Sequence, residues 1–155
     1  MFDTPTEDWY VWLGLAAVAA ATVVIAAGLP VRPPPDAGGL AATVDTVAGS
    51  DGPAAATHAV AGAAVRLGPR SVAIRAGGAT GTASFVYGPV VPAGAGRLGR
   101  VAAGAPPTAV FAAPAAFRAA AAAARERALG WQRAETVHVR RVSWGDVSVT
   151  VVAAQ

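Results

Sequence analysis

From Trp9 to Leu29 the chain carries no charged side chain, and its only aliphatic hydroxyl there is Thr22. No other stretch limits the possible folds so much. Coiled as a helix at a rise of ~1.5 Å per residue it would be ~32 Å long, against a hydrocarbon core of ~30 Å. Trp9, Tyr10 and Trp12 cluster at one end, where amphipathic rings settle at the level of lipid headgroups. Pro30 and the run Pro33–Pro35 stop a helix at the other end. The stretch therefore predicts a transmembrane helix over 9–29, with the lipid bilayer as its partner. A cleaved secretory signal would need a basic leader and a shorter apolar run, whereas this leader is acidic (Asp3, Glu7, Asp8) and offers only Ala26-Ala27-Gly28 as a small-residue site. A buried soluble helix is the other alternative, and length argues against it. The expected organisation is an acidic tail at 1–8, the span at 9–29, a Pro/Gly-rich linker at 30–39 and one domain at 40–155.

Beyond the span, bulk is scarce. Of 155 residues, 42 are Ala, 18 Gly and 22 Val, so large side chains such as Leu40, Ile74, Phe117, Trp131 and Trp144 must supply most of the interior. All 12 basic residues are Arg, and from Val31 onward they face six acids. Such a balance suits an anionic partner. The Arg residues are nevertheless scattered from Arg32 to Arg141, without the clustered stripe of a nucleic-acid binder, so no nucleic acid is expected. There is no cysteine, hence no disulfide and no thiolate chemistry.

Patterning in the domain is short-range. Leu40, Val44 and Val47 fall at i, i+4 and i+7, one apolar stripe of a short helix over 40–48 that Gly49–Pro53 ends. Around Gly77-Gly78, a two-residue turn sets Ile74 opposite Gly81 and Val72 opposite Ala83, with Phe85 next along that apolar face; Ser71, Arg75, Thr80, Thr82 and Ser84 share the other face. Around Gly145-Asp146 the same device pairs Trp144 with Val147, Val142 with Val149 and Arg140 with Val151, while Ser143 meets Ser148 and Arg141 meets Thr150. Trp144 and Val149 then point to the core. Pro89 and Pro92 are expected to end a strand at Val86-Tyr87, 97–103 to form a turn or two of helix, and Pro114 to open a helix running through Leu129 to Gly130. The predicted class is α+β: a small antiparallel sheet of four or five strands packed with one or two helices behind the transmembrane helix.

Chemistry-bearing residues are thin on the ground. Gly94-Ala95-Gly96-Arg97-Leu98-Gly99 matches G-x-G-x-x-G, but prolines break the preceding segment and no acid lies about 20 residues further on to hold a ribose. His58 and His138 stand far apart in sequence with no third ligand beside either. None of Ser50, Ser71, Ser84, Ser143 and Ser148 lies in a nucleophile elbow, and Asp45, Asp51, Glu126, Glu135 and Asp146 form no close carboxylate pair. No catalytic, cofactor-binding or metal-ligating residue is expected, no cofactor, and no enzyme.

Six segments carry a family resemblance: Asp8-Trp9-Tyr10-Val11-Trp12-Leu13-Gly14, Gly28-Leu29-Pro30 with Pro33–Asp36, Val65–Pro69, Phe85–Val90, Pro114–Arg118 and Val142–Val147. Together they resemble an uncharacterised family of haloarchaeal single-span membrane-anchored proteins associated with type IV pilus-like and secretion genes. The resemblance implies an accessory role in a surface appendage or secretion apparatus, protein partners in a membrane-associated assembly, and a C-terminal domain outside the cytoplasm. Arg32, the one basic residue flanking the span, leans toward the opposite side. The function expected is that of a non-catalytic anchored interaction protein. Two alternatives have their own marks: an anchored small-ligand binder or enzyme would show a deep pocket with converging polar groups, and a cytoplasm-facing Arg-rich domain with an acidic partner would gather its Arg residues on one face.

Overall fold

The first helix is fixed by its N-cap. In the computed structural model, which describes residues 34–127 and 129–155, the carboxylate of Asp36 accepts the backbone N–H of Gly39 at 2.7 Å and starts α1 (Ala37–Ala48). Leu40, Val44 and Val47 form its buried stripe as the spacing predicts, and its first turn lies inside the stretch read as linker. The expected span over 9–29 lies outside the described residues. Among those described, no helix is long and apolar enough to cross a membrane.

Eight strands follow: β1 (Ala54–Ala59), β2 (Ala64–Leu67), β3 (Ser71–Ala76), β4 (Ala79–Ser84), β5 (Val91–Ala93), β6 (Gln132–Arg133), β7 (Thr136–Trp144) and β8 (Val147–Ala154). Between β5 and β6 lie α2 (Arg97–Ala102), α3 (Pro107–Val110) and α4 (Pro114–Glu126). Both hairpins have the expected register. Ile74 opposes Gly81 and Val72 opposes Ala83 across the first. Trp144 opposes Val147, Val142 opposes Val149 and Arg140 opposes Val151 across the second.

The α+β class holds, but the single antiparallel sheet does not. The strands form two four-stranded sheets, one in the order β1-β7-β8-β5 and the other β4-β3-β2-β6, and β5 runs parallel to β8. Pro92, read as a strand breaker, is instead buried at the middle of β5. That position suits it because β5 is the edge of its sheet, where a missing N–H leaves no ladder bond unmade. Val86 and Tyr87, read as strand, are exposed residues after β4. The helix opened by Pro114 stops at Glu126 rather than Gly130: Arg127 turns to extended geometry, and Leu129 packs with the cluster that contains Leu67 and Val72.

β8 explains the layering. Its Val151 and Ala153 face α2 and α4, joining Val91, Val101, Phe111 and Phe117 in one core cluster. Val152 and Ala154 face the other way and join a second cluster, with Leu40 and Val44 of α1, Val65 of β2 and Ile74 of β3. The helix α1 touches β1 and β7 of the first sheet and β3 and β4 of the second, so it fills the space between them. At Gly81 a side chain would not fit, since a Cβ there would come within 2.5 Å of the Pro35 carbonyl oxygen. The chain leading into α1 thus lies directly against β4.

Candidate interaction surfaces

The residues singled out for their chemistry are placed apart. β1 and β7 are neighbours, so His58 and His138 come close along the sheet, but His58 lies opposite Val137 and His138 opposite Thr57, which puts the two imidazoles on opposite faces. Each ring is half-buried and has a threonine hydroxyl at 3.3 Å: Thr43 at Nδ1 of His58 and Thr136 at Nε2 of His138. Among the described residues no group of three His, Asp or Glu is placed to hold a metal ion. Ser143 and Ser148 meet each other at 3.1 Å on an exposed face, and the Ser50 hydroxyl donates to the Val47 carbonyl at 2.7 Å where α1 ends. In the G-x-G-x-x-G segment, Gly99 is needed because a Cβ there would collide with the Gly94 carbonyl, a packing reason within a loop and a short helix.

Several polar side chains are spent on backbone. Asp45 accepts the N–H groups of Val86 and Tyr87 at 2.9 and 3.0 Å, which holds the segment after β4 against α1. Arg140 donates to the carbonyls of Val101 and Ala105 at 3.0 and 2.9 Å, closing the C-terminal end of α2, and Arg141 donates to the Ala48 carbonyl at the end of α1. Arg118 and Asp146 form the one ion pair among the described residues.

Two surfaces remain. The first is a groove of about 690 Å³ between α4 and the segment 92–98. Its floor is Pro92, Ala93 and Phe111, its wall is the alanine face of α4, and its polar side chains are Arg97 and Arg127. Arg97 lies over the Phe111 ring at 5.1 Å from the centroid. Converging hydrogen-bonding groups, the mark set for a small-ligand site, do not line it.

The second surface is the outer face of the β4-β3-β2-β6 sheet. Cross-strand pairing puts Ala64 opposite both Arg75 and Arg133, and Arg66 opposite Ala73, so the three guanidinium-bearing positions share one face. All three are exposed. Trp131, expected to fill the interior, instead lies half-exposed against that face, with Arg66 at 4.9 Å and Arg75 at 4.3 Å from its ring centroid. Thr80, Thr82, Ser71 and Ser84 continue the face as exposed hydroxyls, and Arg75 and Arg133 line a hollow of about 390 Å³ beside the Gly77-Gly78 turn. Alternation in β2 and β3 signals that Arg66 and Arg75 share a side; nothing local signals that the two-residue β6 brings Trp131 and Arg133 beside them.

A family model described as a family of unknown function, DUF7283, matches residues 3–142. The chain belongs to DUF7283. No curated protein and no solved structure matches it. For this DUF7283 member the match covers the whole second sheet, with Arg66, Arg75, Trp131 and Arg133, and the acidic leader as well.

Proposed function

We propose that this DUF7283 member is a non-catalytic, membrane-anchored interaction protein, an accessory part of an archaeal surface appendage or secretion apparatus. In this reading Trp9–Leu29 is a single retained span, and the domain beginning at Asp36 stands outside the cytoplasm, in contact with protein partners of the same assembly. The observation that carries the interaction role is the outer face of the second sheet. Arg66, Arg75 and Arg133 gather there around a half-exposed Trp131, and aromatic and Arg side chains are the residues that dominate binding surfaces. The haloarchaeal and pilus-like setting rests on the sequence resemblance. Of the alternatives, a cytoplasm-facing Arg-rich domain with an acidic partner is the one this gathering favours, and the side of the membrane on which the domain lies separates it from the first reading.

Two measurements test the proposal. The full-length protein stays in the membrane pellet through alkaline carbonate and high-salt washes, because a span of this length is held by hydrocarbon contact; release into the supernatant overturns the anchor. Protease shaving of intact cells removes the domain, and affinity capture from native membranes brings appendage or secretion subunits with it. A protected domain overturns the outward orientation, and capture without such subunits overturns the accessory role.

A further inference from the structure

Two facts about the second sheet point to one occupant. Its outer face carries three exposed guanidinium groups, a half-exposed indole and a row of hydroxyls. Among the described residues, none of the three guanidiniums has a carboxylate within ion-pair distance, since the one ion pair is Arg118 with Asp146. This face is therefore complementary to a surface of repeated negative charge. The second fact is the length of chain before α1. Pro35 lies against the covered side of β4 at Gly81; β4 is the edge strand, round which the outer face is about one sheet thickness away, or ~10 Å, and only 30–34 separate Pro35 from Leu29 at the end of the expected span. Even fully extended at ~3.5 Å per residue, the step from Leu29 to Pro35 covers about 20 Å. From β4 to β2 is two strand spacings, or about 10 Å.

We infer that the outer face of the β4-β3-β2-β6 sheet docks on anionic phospholipid headgroups of the bilayer that holds the span, with Arg66, Arg75 and Arg133 donating to headgroup phosphates and Trp131 seated at the interface. The inference rests on the anchored reading above and adds an orientation to it: the domain lies down on the membrane and turns its other surfaces, including the groove beside α4, toward partners. Guanidinium forks match phosphate oxygens in pairs, and indole rings favour the headgroup level. Each basic residue at an anionic surface strengthens binding about fivefold, so three together give about a hundredfold.

The chain has no cysteine, which allows a single probe to be placed at will. Full-length protein carrying Thr82→Cys, labelled with a fluorophore, is reconstituted into phosphatidylcholine vesicles with or without about a third phosphatidylglycerol, each doped with a lipid-borne quencher. Position 82 lies on the docking face; Ser143→Cys, on the exposed part of β7, reports the other sheet. The expected result is strong quenching at position 82 with phosphatidylglycerol, little without it, and little at position 143 in either. Combining Arg66→Gln, Arg75→Gln and Arg133→Gln abolishes the difference, while unchanged circular dichroism shows the fold intact. Equal quenching at 82 in the two lipids, or at 82 and 143, overturns the inference. So does release of the face from phosphatidylglycerol by a stoichiometric DNA oligonucleotide, which would make nucleic acid the occupant.

Failure of the anchor reads out separately. A chain that does not float with neutral vesicles has no span, and flotation of that soluble chain with anionic vesicles then tests the face alone: loss of flotation in the triple variant supports it, and absence of flotation in the parent overturns it.

Discussion

β8 and β4 both belong to tight hairpins, yet they end in different surroundings. β4 alternates half-buried Ala79, Gly81 and Ala83 with exposed Thr80, Thr82 and Ser84 along its length. β8 has only Ser148 exposed, and from Val149 to Ala154 every residue is buried. The difference is one of layers. The β4-β3-β2-β6 sheet has α1 and the first sheet on one side and an Arg- and hydroxyl-bearing face on the other, whereas β8 of the first sheet has α1 on one side and α2 and α4 on the other; that second cover stops short of β1, whose Ala55, Thr57 and Ala59 are exposed. A strand covered on both sides gives up its free surface to join two cores; a sheet covered on one side keeps a surface that can bind something.

The core between β8 and the helices α2 and α4 depends on very little bulk, and that is where the comparison breaks most easily. Phe117 is fully buried, with Phe111 at 5.4 Å and Trp144 at 6.4 Å between ring centroids, and its other neighbours include Ala121 and Ala102. Alanines cannot reach across to fill the space a lost ring leaves. Phe117→Ala is expected to cost ~3 to 5 kcal/mol in urea unfolding of residues 34–155. Trp144→Ala, which the alternation alone would rank as equally severe, should cost clearly less because that ring is half-exposed. Equal costs would mean that the cover over this face is tighter than the burial pattern shows.

A finer test compares neighbours within a strand. Val151 and Val152 are successive, both fully buried, and point into different cores. Val151→Ala and Val152→Ala should each cost ~1.5 to 3 kcal/mol. Thr82→Ala, on the free face of the other sheet, should stay within ~0.5 kcal/mol. If Val152→Ala were as mild as Thr82→Ala, β8 would have one buried face and not two.

What the sequence made legible follows the same line. Gly77-Gly78 and Gly145-Asp146 fixed both hairpin registers because a two-residue turn leaves no freedom in pairing, and the stripe Leu40, Val44, Val47 fixed the buried face of α1. β1 escaped because Ala54–Ala59 has little strand propensity of its own and is held by pairing with β7, a partner some 80 residues away in sequence. β5 escaped because its only interior residue is a proline, tolerated by the edge position that only the full topology defines. The two-core arrangement was visible in outline: Val149–Ala154 is nearly all apolar, the pattern of a strand buried on both faces, which period-two alternation read as one oily side. On the candidate face, β2 and β3 announced Arg66 and Arg75 through alternation, but the pairing of β6 with β2 that delivers Trp131 and Arg133 joins Ala64 to Arg133 and is a non-local event.

The two hairpin turns supply the smallest test. The Gly77-Gly78 turn carries no side chain, while at the other turn Asp146 pairs with Arg118 of α4. The two turns therefore differ in whether a helix is tied to them by charge. Arg118 and Asp146 side chains are 55% and 76% exposed, so water screens the attraction and both long-range and local terms shrink in salt. Asp146→Asn keeps a turn-favouring side chain and removes only the charge. The coupling between Asp146→Asn and Arg118→Gln, taken from a double-mutant cycle of urea midpoints, should be at most ~1 kcal/mol in dilute buffer and should vanish near 1 M sodium chloride. A coupling that survives molar salt would show that the pair acts as a directed hydrogen bond clamping α4 across the β7–β8 turn. The cover that α4 gives the Phe117 core would then be tied to the turn, and Phe117 would not be alone in holding it in place.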